Sequence, residues 1–528
     1  AAMLANNMAL PAYGATTYVS AGETVSGATL YSTDGQYILS AGVASDTTIN
    51  AGGWQYVFSG GMANTTTINS DGVQNVSSGG VASITTINSG GVQWVISGGK
   101  AYNTVQHSGG NVTVNVLGRD TKTYVSGTNA SGEAFTLQNG VASNFILYAG
   151  GAQNVFSGGL ASATTIHWGG SQAVRSGGVA SDTTISSGGA LEVSSGGVAS
   201  DTTISSGGWQ EVWRSGVVSD TIVAGGIQNV NADGVANNTT INSGGLQRVI
   251  SGGKAYNTVQ HSGGNVTVIV RGGDTKTYVS GTNASGEAFT LQNGVASNFI
   301  LYAGGAQNVF SGGLASATTI SSGGWQFVDS GGVASNTTIN EGGLQEVSSG
   351  GVASATTIHG GAQYVSAGGV ASATTIHGGT QDVSAGGVAS NTTINECGLQ
   401  NVSSGGKAYN VMQYSGGNIN ADVYGGDTET YVSGTNANGE AFTLQNGVAS
   451  NFILYAGGLQ NVFSGGVASA TTINAGGLQN VSSGAVASDT LVAGGVQNVY
   501  SSGVASNTTL NSGAVNLYEG GLISGLNA

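Results

Sequence analysis

Residues 43–61 read VASDTTINAGGWQYVFSGG, and residues 62–80 restate the phrase as MANTTTINSDGVQNVSSGG. It starts again at Val81 and Lys100, then at Val141, Leu160, Val179 and Val198, with every step within a run being nineteen residues. That period is too short for a helix pair and fits one coil of a solenoid, where each unit buries its apolar face only by stacking on the next.

Strict alternation along VASDTTI, with Ile49 turned inward, would also point Val43, Ser45 and Thr47 inward and leave Ala44, Asp46 and Thr48 outside. In the second half of the phrase the same rule couples Gln55 to Val57, Gln74 to Val76 and Gln93 to Val95, so a Gln faces inward in coil after coil. A buried amide is costly without partners. Identical Gln side chains stacked about 4.8 Å apart can supply them to one another as a ladder along the axis. The Gly-Gly pairs suit corners that need positive φ. Two or three short strands per coil joined by glycine corners make an all-β parallel β-helix.

Composition agrees. Only 7% of the 528 residues are charged and 95 are Gly, against roughly 25% charged in ordinary soluble domains. No segment has a helical period. Disorder is a poor reading, because the apolar residues recur in register with the turns. A repeat array also grows without needing a second core, so one long domain is expected. The net charge of −15 argues against nucleic acid and anionic membrane surfaces, since ten Lys and Arg cannot neutralise many phosphates along such a chain. No stretch is long and apolar enough to span a bilayer. The one cysteine, Cys397, takes the place of the first Gly of a corner; it has no partner within the chain and could pair two molecules.

Two irregularities interrupt the period. Steps of eighteen residues (Val217 to Val235, Val352 to Val370, Val370 to Val388) lose a corner residue. Three steps of forty-one (Lys100 to Val141, Lys254 to Val295, Lys407 to Val448) carry TYVSGT and then EAFTLQNGVASNFILYAGG. Each reads as two coils with three extra residues, giving longer coils near 100–140, 254–294 and 407–447. The sum is about 26 coils, a rod on the order of 120 Å long.

The phrases GGVASDTTISSGG (177–189), GGLQNV (457–462) and GGWQEV (207–212) resemble the AIDA-type repeats in passenger domains of Gram-negative autotransporter adhesins. The resemblance covers roughly residues 24–520. It implies a right-handed β-helix exported through the periplasm and outer membrane to the cell surface by a C-terminal β-barrel. It also implies adherence to host cells, self-association between bacteria, biofilm formation, a role in virulence, and O-linked heptose added to passenger serines by a heptosyltransferase. The chain ends at Ala528 on the repeat-like GGLISGLNA, so a passenger is expected whose translocator barrel lies outside this sequence. Residues 1–14, with Pro11 and with Ala12 and Gly14 placed for cleavage before Ala15, look like the end of a signal or propeptide; a plain capping segment fits as well. Residues 15–528 would then be the passenger.

Candidate sites follow from facing. Catalysis on a β-helix would need clustered carboxylates, whereas Asp182, Asp201 and Asp220 occupy the exposed variable slot; no enzyme, cofactor or metal is expected. His359 and His377 should stack about 5 Å apart, but no third ligand is evident. Trp54, Trp209 and Trp325 precede the inward Gln, while Trp94 and Phe327 follow it; all five should face solvent, suited to sugar stacking or protein contact. The loops of the three long steps repeat Asn129 to Glu133 as Asn283 to Glu287 and Asn436 to Glu440. Their Asn and Glu are candidate binding residues, and three weak sites in line would add avidity. In VSSGG the alternation that sends Val193 inward sends Ser194 outward, with Ser195 opening the corner. Ser348 with Ser349 and Ser403 with Ser404 repeat the arrangement, so all six are candidate heptose acceptors. Self-association of neighbouring rods is the principal functional expectation. A glycan- or host-receptor-binding rod without self-recognition is the alternative.

Overall fold

The computed structural model describes residues 14–528, in two compact units, residues 14–264 and residues 265–528. The proposed cleavage segment lies, apart from Gly14, outside the described residues. Each unit is a stack of short strands paired in parallel one repeat apart, as in Val43↔Met62 and Gln55↔Gln74 in the first unit and Val333↔Val352 and Gln326↔Gln345 in the second. The chain is all-β, a parallel β-helix as expected.

Two corner requirements account for the Gly-Gly pairs. Gly60 has φ 77°, a left-handed conformation that L side chains adopt at a cost. Its neighbour Gly61 has no room, since a Cβ there would lie 2.5 Å from the Ile38 carbonyl oxygen of the coil below.

The inward Gln column is present. Gln55 Nε2 donates to Gln36 Oε1 at 2.7 Å, Gln74 to Gln55 at 2.6 Å and Gln93 to Gln74 at 2.8 Å, all fully buried. Thr hydroxyls from the facing sheet join it, Thr85 Oγ1 donating to Gln74 Oε1 at 3.4 Å. The second unit carries a longer run from Gln307 to Gln400. Where a long step intervenes, apolar residues take the Gln place: Val112 and Val114 follow Gln93 and precede Gln153.

One facing assignment is corrected. Ala44 is fully buried while Val43 and Ser45 are half-buried; Thr47 and Ile49 do turn inward. The reason is Asp46, whose φ of 54° puts a left-handed residue in mid-strand. That residue rotates the chain, so the parity of VAS and the parity of TTI are independent. The slot repeats at Thr65, Ile84 and Asn103, all with positive φ. Asp46 itself is outside, as expected.

The long steps are corrected as well. They are not two coils. Tyr124–Thr128 pairs in parallel on Lys100–Gln106, then Ala134–Gln138 runs antiparallel to it and Val141–Ser143 antiparallel again. In the opposite sheet Asn111–Leu117 pairs directly with Ala152–Phe156. The extra residues thus add two strands to one sheet and none to the other. Tyr278–Thr282, Ala288–Gln292 and Val295–Ser297 repeat this meander in the second unit, as do Tyr431–Thr435, Ala441–Gln445 and Val448–Ser450. Buried Phe135 and Phe145 meet with ring centroids 5.1 Å apart, as Phe289 with Phe299 and Phe442 with Phe452 do.

Candidate functional site

The outward aromatics divide. Trp94, Trp209 and Trp325 are exposed by 47, 43 and 42%, and Trp325 stacks on Phe327 at 5.6 Å. Trp54 is only half-buried rather than free, and its indole N–H donates to the Tyr37 hydroxyl at 3.3 Å. Tyr37 is in turn stacked between Tyr18 and Tyr56 at 5.2 and 5.4 Å. Two aromatic residues escaped the repeat-based reading because they stand beside corners, outside the places that flank the inward Gln. Trp168, the most exposed at 72%, precedes Gly169. Trp213 stands in the place after the inward Val, which holds Ser77 and Ser348 in some coils and Phe58, Ile96 and Phe156 in others, with the Arg214 guanidinium 4.1 Å from its ring centroid. The signal was present for Trp168, a Trp in a Ser or Ala slot, whereas Trp213 shares its slot with other large residues.

The long-step loops hold a structural asparagine. Asn129 is 4% exposed, accepts from the Ser131 and Glu133 amides at 3.0 Å each, and donates from Nδ2 to the Asn144 carbonyl at 2.9 Å. Asn283 and Asn436 repeat every bond. With both amide atoms engaged and buried, these three Asn are loop formers and not contact residues, contrary to expectation. Glu133, Glu287 and Glu440 remain exposed.

A tight turn precedes each meander. Burial opposes ionisation of Asp120, but hydrogen bonds from the Thr123 hydroxyl, the Thr123 and Lys122 amides and Ser97 outweigh it and hold the carboxyl below its ordinary value. Asp274 and Asp427 behave alike, with Thr277 and Thr430 hydroxyls at 2.5 and 2.6 Å.

Of the candidate acceptor serines, Ser195, Ser349, Ser403 and Ser404 are exposed and Ser348 is half-buried. Ser194 is corrected: it is 2% exposed and bonded to Glu192 Oε1 at 3.2 Å. Its neighbours one coil away on either side are Arg175 and Trp213, as the bonds Ser194 N to Val174 O and Trp213 N to Val193 O place them. Large residues therefore flank its hydroxyl.

The His359 and His377 rings stack at 5.2 Å. Among the described residues no three His, Cys, Asp or Glu side chains come together as a metal site, and no helix is long and apolar enough to cross a membrane. Cys397 is exposed, with φ 62°.

A family model described as "Adhesin of bacterial autotransporter system, probable stalk" matches residues 31–91, 126–189, 176–226, 280–343 and 433–495, together more than half of the chain. The chain belongs to the AIDA adhesin family. The AIDA matches include all three meanders only in part, each beginning inside the strand that carries YVSGT. They leave out residues 344–432, which hold the consecutive eighteen-residue coils and Cys397. Among solved structures the AIDA chain is similar to a TibA fragment hyper-glycosylated by TibC catalysis, at 36% identity, covering 65% of this chain and 96% of that one, with a TM-score of 0.27. No curated protein matches.

Proposed function

We propose that this autotransporter-adhesin chain is displayed on the outside of a Gram-negative cell, beyond its translocator barrel, and joins copies on neighbouring cells by contact between outward strand faces. The observation that carries the reading is the outward column of amides, such as half-buried Asn461 and Asn480, then largely covered Asn498, then exposed Asn516. Each of the last three donates from Nδ2 to the Oδ1 of the one before it at 2.9 Å, which pre-aligns a periodic row of remaining donors and acceptors. Charged residues are sparse, and Arg175 with Glu192 is the one ion pair among the described residues. Two such faces meet without desolvating many charges. Each contact contributes only about 1 kcal/mol, so adhesion comes from repetition. Biofilm formation follows from the same contacts, and no catalytic role is assigned.

Cells displaying the chain should settle within hours, and purified protein should form oligomers as its concentration rises in sedimentation velocity. A chain that stays monomeric and leaves cells dispersed rules self-association out. Exposed Trp94, Trp209 and Trp325 favour a second reading, adherence to host glycans or receptors, read by host-cell binding with each changed to Ala. Exposed corner serines support a further part of the proposal, heptose transfer by a partner heptosyltransferase.

A further inference from the structure

In the first unit, Trp209, Glu211 and Trp213 alternate outward between buried Gln210 and Val212. One coil below Trp209 lies Ala190 and two coils below lies Ser171; below Glu211 lie Glu192 and then Ala173. The small residues leave the Trp209 ring standing over a hollow of about 580 Å³, with Trp213 and Arg175 on its other side. That volume falls within the roughly 300–1,000 Å³ of small-molecule sites. A second hollow of about 400 Å³, reaching Asn115 and Phe156, shares Asn154, Ala173 and Arg175 with the first, so the groove is longer than one sugar ring.

We propose that this groove binds a neutral oligosaccharide. A pyranose presents an apolar C–H face that packs on an indole ring and a rim of hydroxyls that need acceptors and donors. Trp209 supplies the first, and Glu192, Glu211, Asn154 and Arg175 supply the second. The polar groups are already held in place: Glu211 accepts from Asn229 and Asn231 at 2.6 and 2.5 Å, and Arg175 pairs with Glu192 at 3.1 Å. Arg214 beside the Trp213 ring steadies that wall. Among the residues that line the groove two carboxylates stand against one guanidinium, Arg214 lying outside the lining, which disfavours uronic and sialic acids and selects uncharged rings. The site deepens the glycan reading above and rests on it; self-association does not depend on it.

The test offers the purified whole chain to an array of neutral and acidic glycans, with binding to the best neutral di- to tetrasaccharides quantified by saturation-transfer NMR. Binding to neutral sugars should weaken about tenfold or more in Trp209→Ala. It should also be lost in Ala173→Phe, a slot that holds Trp94 and Phe327 in other coils and so tolerates a large ring. Tyr364→Ala, which removes an exposed aromatic ring outside the groove lining, should bind as the parent does. Immobilised host-type glycans and a sugar-bearing copy of this chain form two arms, and retention on either that is lost in Trp209→Ala supports the groove. Neutral-sugar binding that survives both groove variants overturns the groove while leaving the glycan reading standing. No binding to any array glycan overturns both.

Discussion

Leu191 lies in register with Gln210, and the buried Gln210 Nε2 that faces it has no hydrogen-bond partner. Leu191 occupies the inward column between Gln172 and Gln210, so the amide ladder is cut there. Thr202, whose hydroxyl would reach that position as Thr183 reaches Gln172, is also unpartnered. Leu191→Gln should restore both bonds and stabilise the surrounding coils by roughly 1–3 kcal/mol. Amide exchange of residues 172–228 reads this locally, which suits a repeat array that does not unfold in one step. Unchanged or faster exchange would show that the break is tolerated by repacking.

Ile84 takes the mid-strand left-handed slot with φ 55°, where a β-branched side chain is at its worst. Ile84→Asn should gain about 1 kcal/mol, seen as a higher denaturant midpoint. The same logic applies to Cys397→Gly, which should also abolish any reductant-sensitive dimer on non-reducing gels.

Asn283 and Glu287 sit in one loop with opposite roles. Asn283→Ala should cost about 2 kcal/mol in the meander, because three hydrogen bonds to the buried Asn283 side chain lose a partner. Glu287→Ala should be neutral within about 0.5 kcal/mol. Limited proteolysis of residues 278–297 separates them: cleavage should accelerate only in the Asn variant.

Asp274 gives the meander a pH dependence. Its folded carboxyl lies below the ordinary 3.8, so its stabilisation is present above the unfolded value and fades as pH falls through the lowered folded value. Pepsin cleavage near residues 274–297 should rise as pH falls below about 4, and Asp274→Asn should weaken that dependence.

Sugar occupancy should follow exposure. Peptide mapping of chain made with its heptosyltransferase should find heptose at Ser195, Ser349, Ser403 and Ser404, and none at Ser194. Equal occupancy of Ser194 would mean that modification precedes folding.

The repeat phrase by itself determined the coil, the inward Gln column and the glycine corners, because each depends on residues close together in the chain: alternation couples Gln55 to Val57, and a corner needs a Gly where φ turns positive. The tertiary structure decided what lies beside each residue nineteen positions away. Asp46 in a left-handed conformation reversed the facing of Val43 and Ala44, and no alternation rule anticipates a single rotated residue. The residues from Tyr124 to Ser143 folded back as a meander because their strands found partners in one sheet only. Ser194 is covered, and the hollow beside Trp209 is open, because neighbouring coils present Arg175 and Trp213 in one column and Ala190 and Ser171 in another. Such neighbours are far apart in sequence and meet only through register.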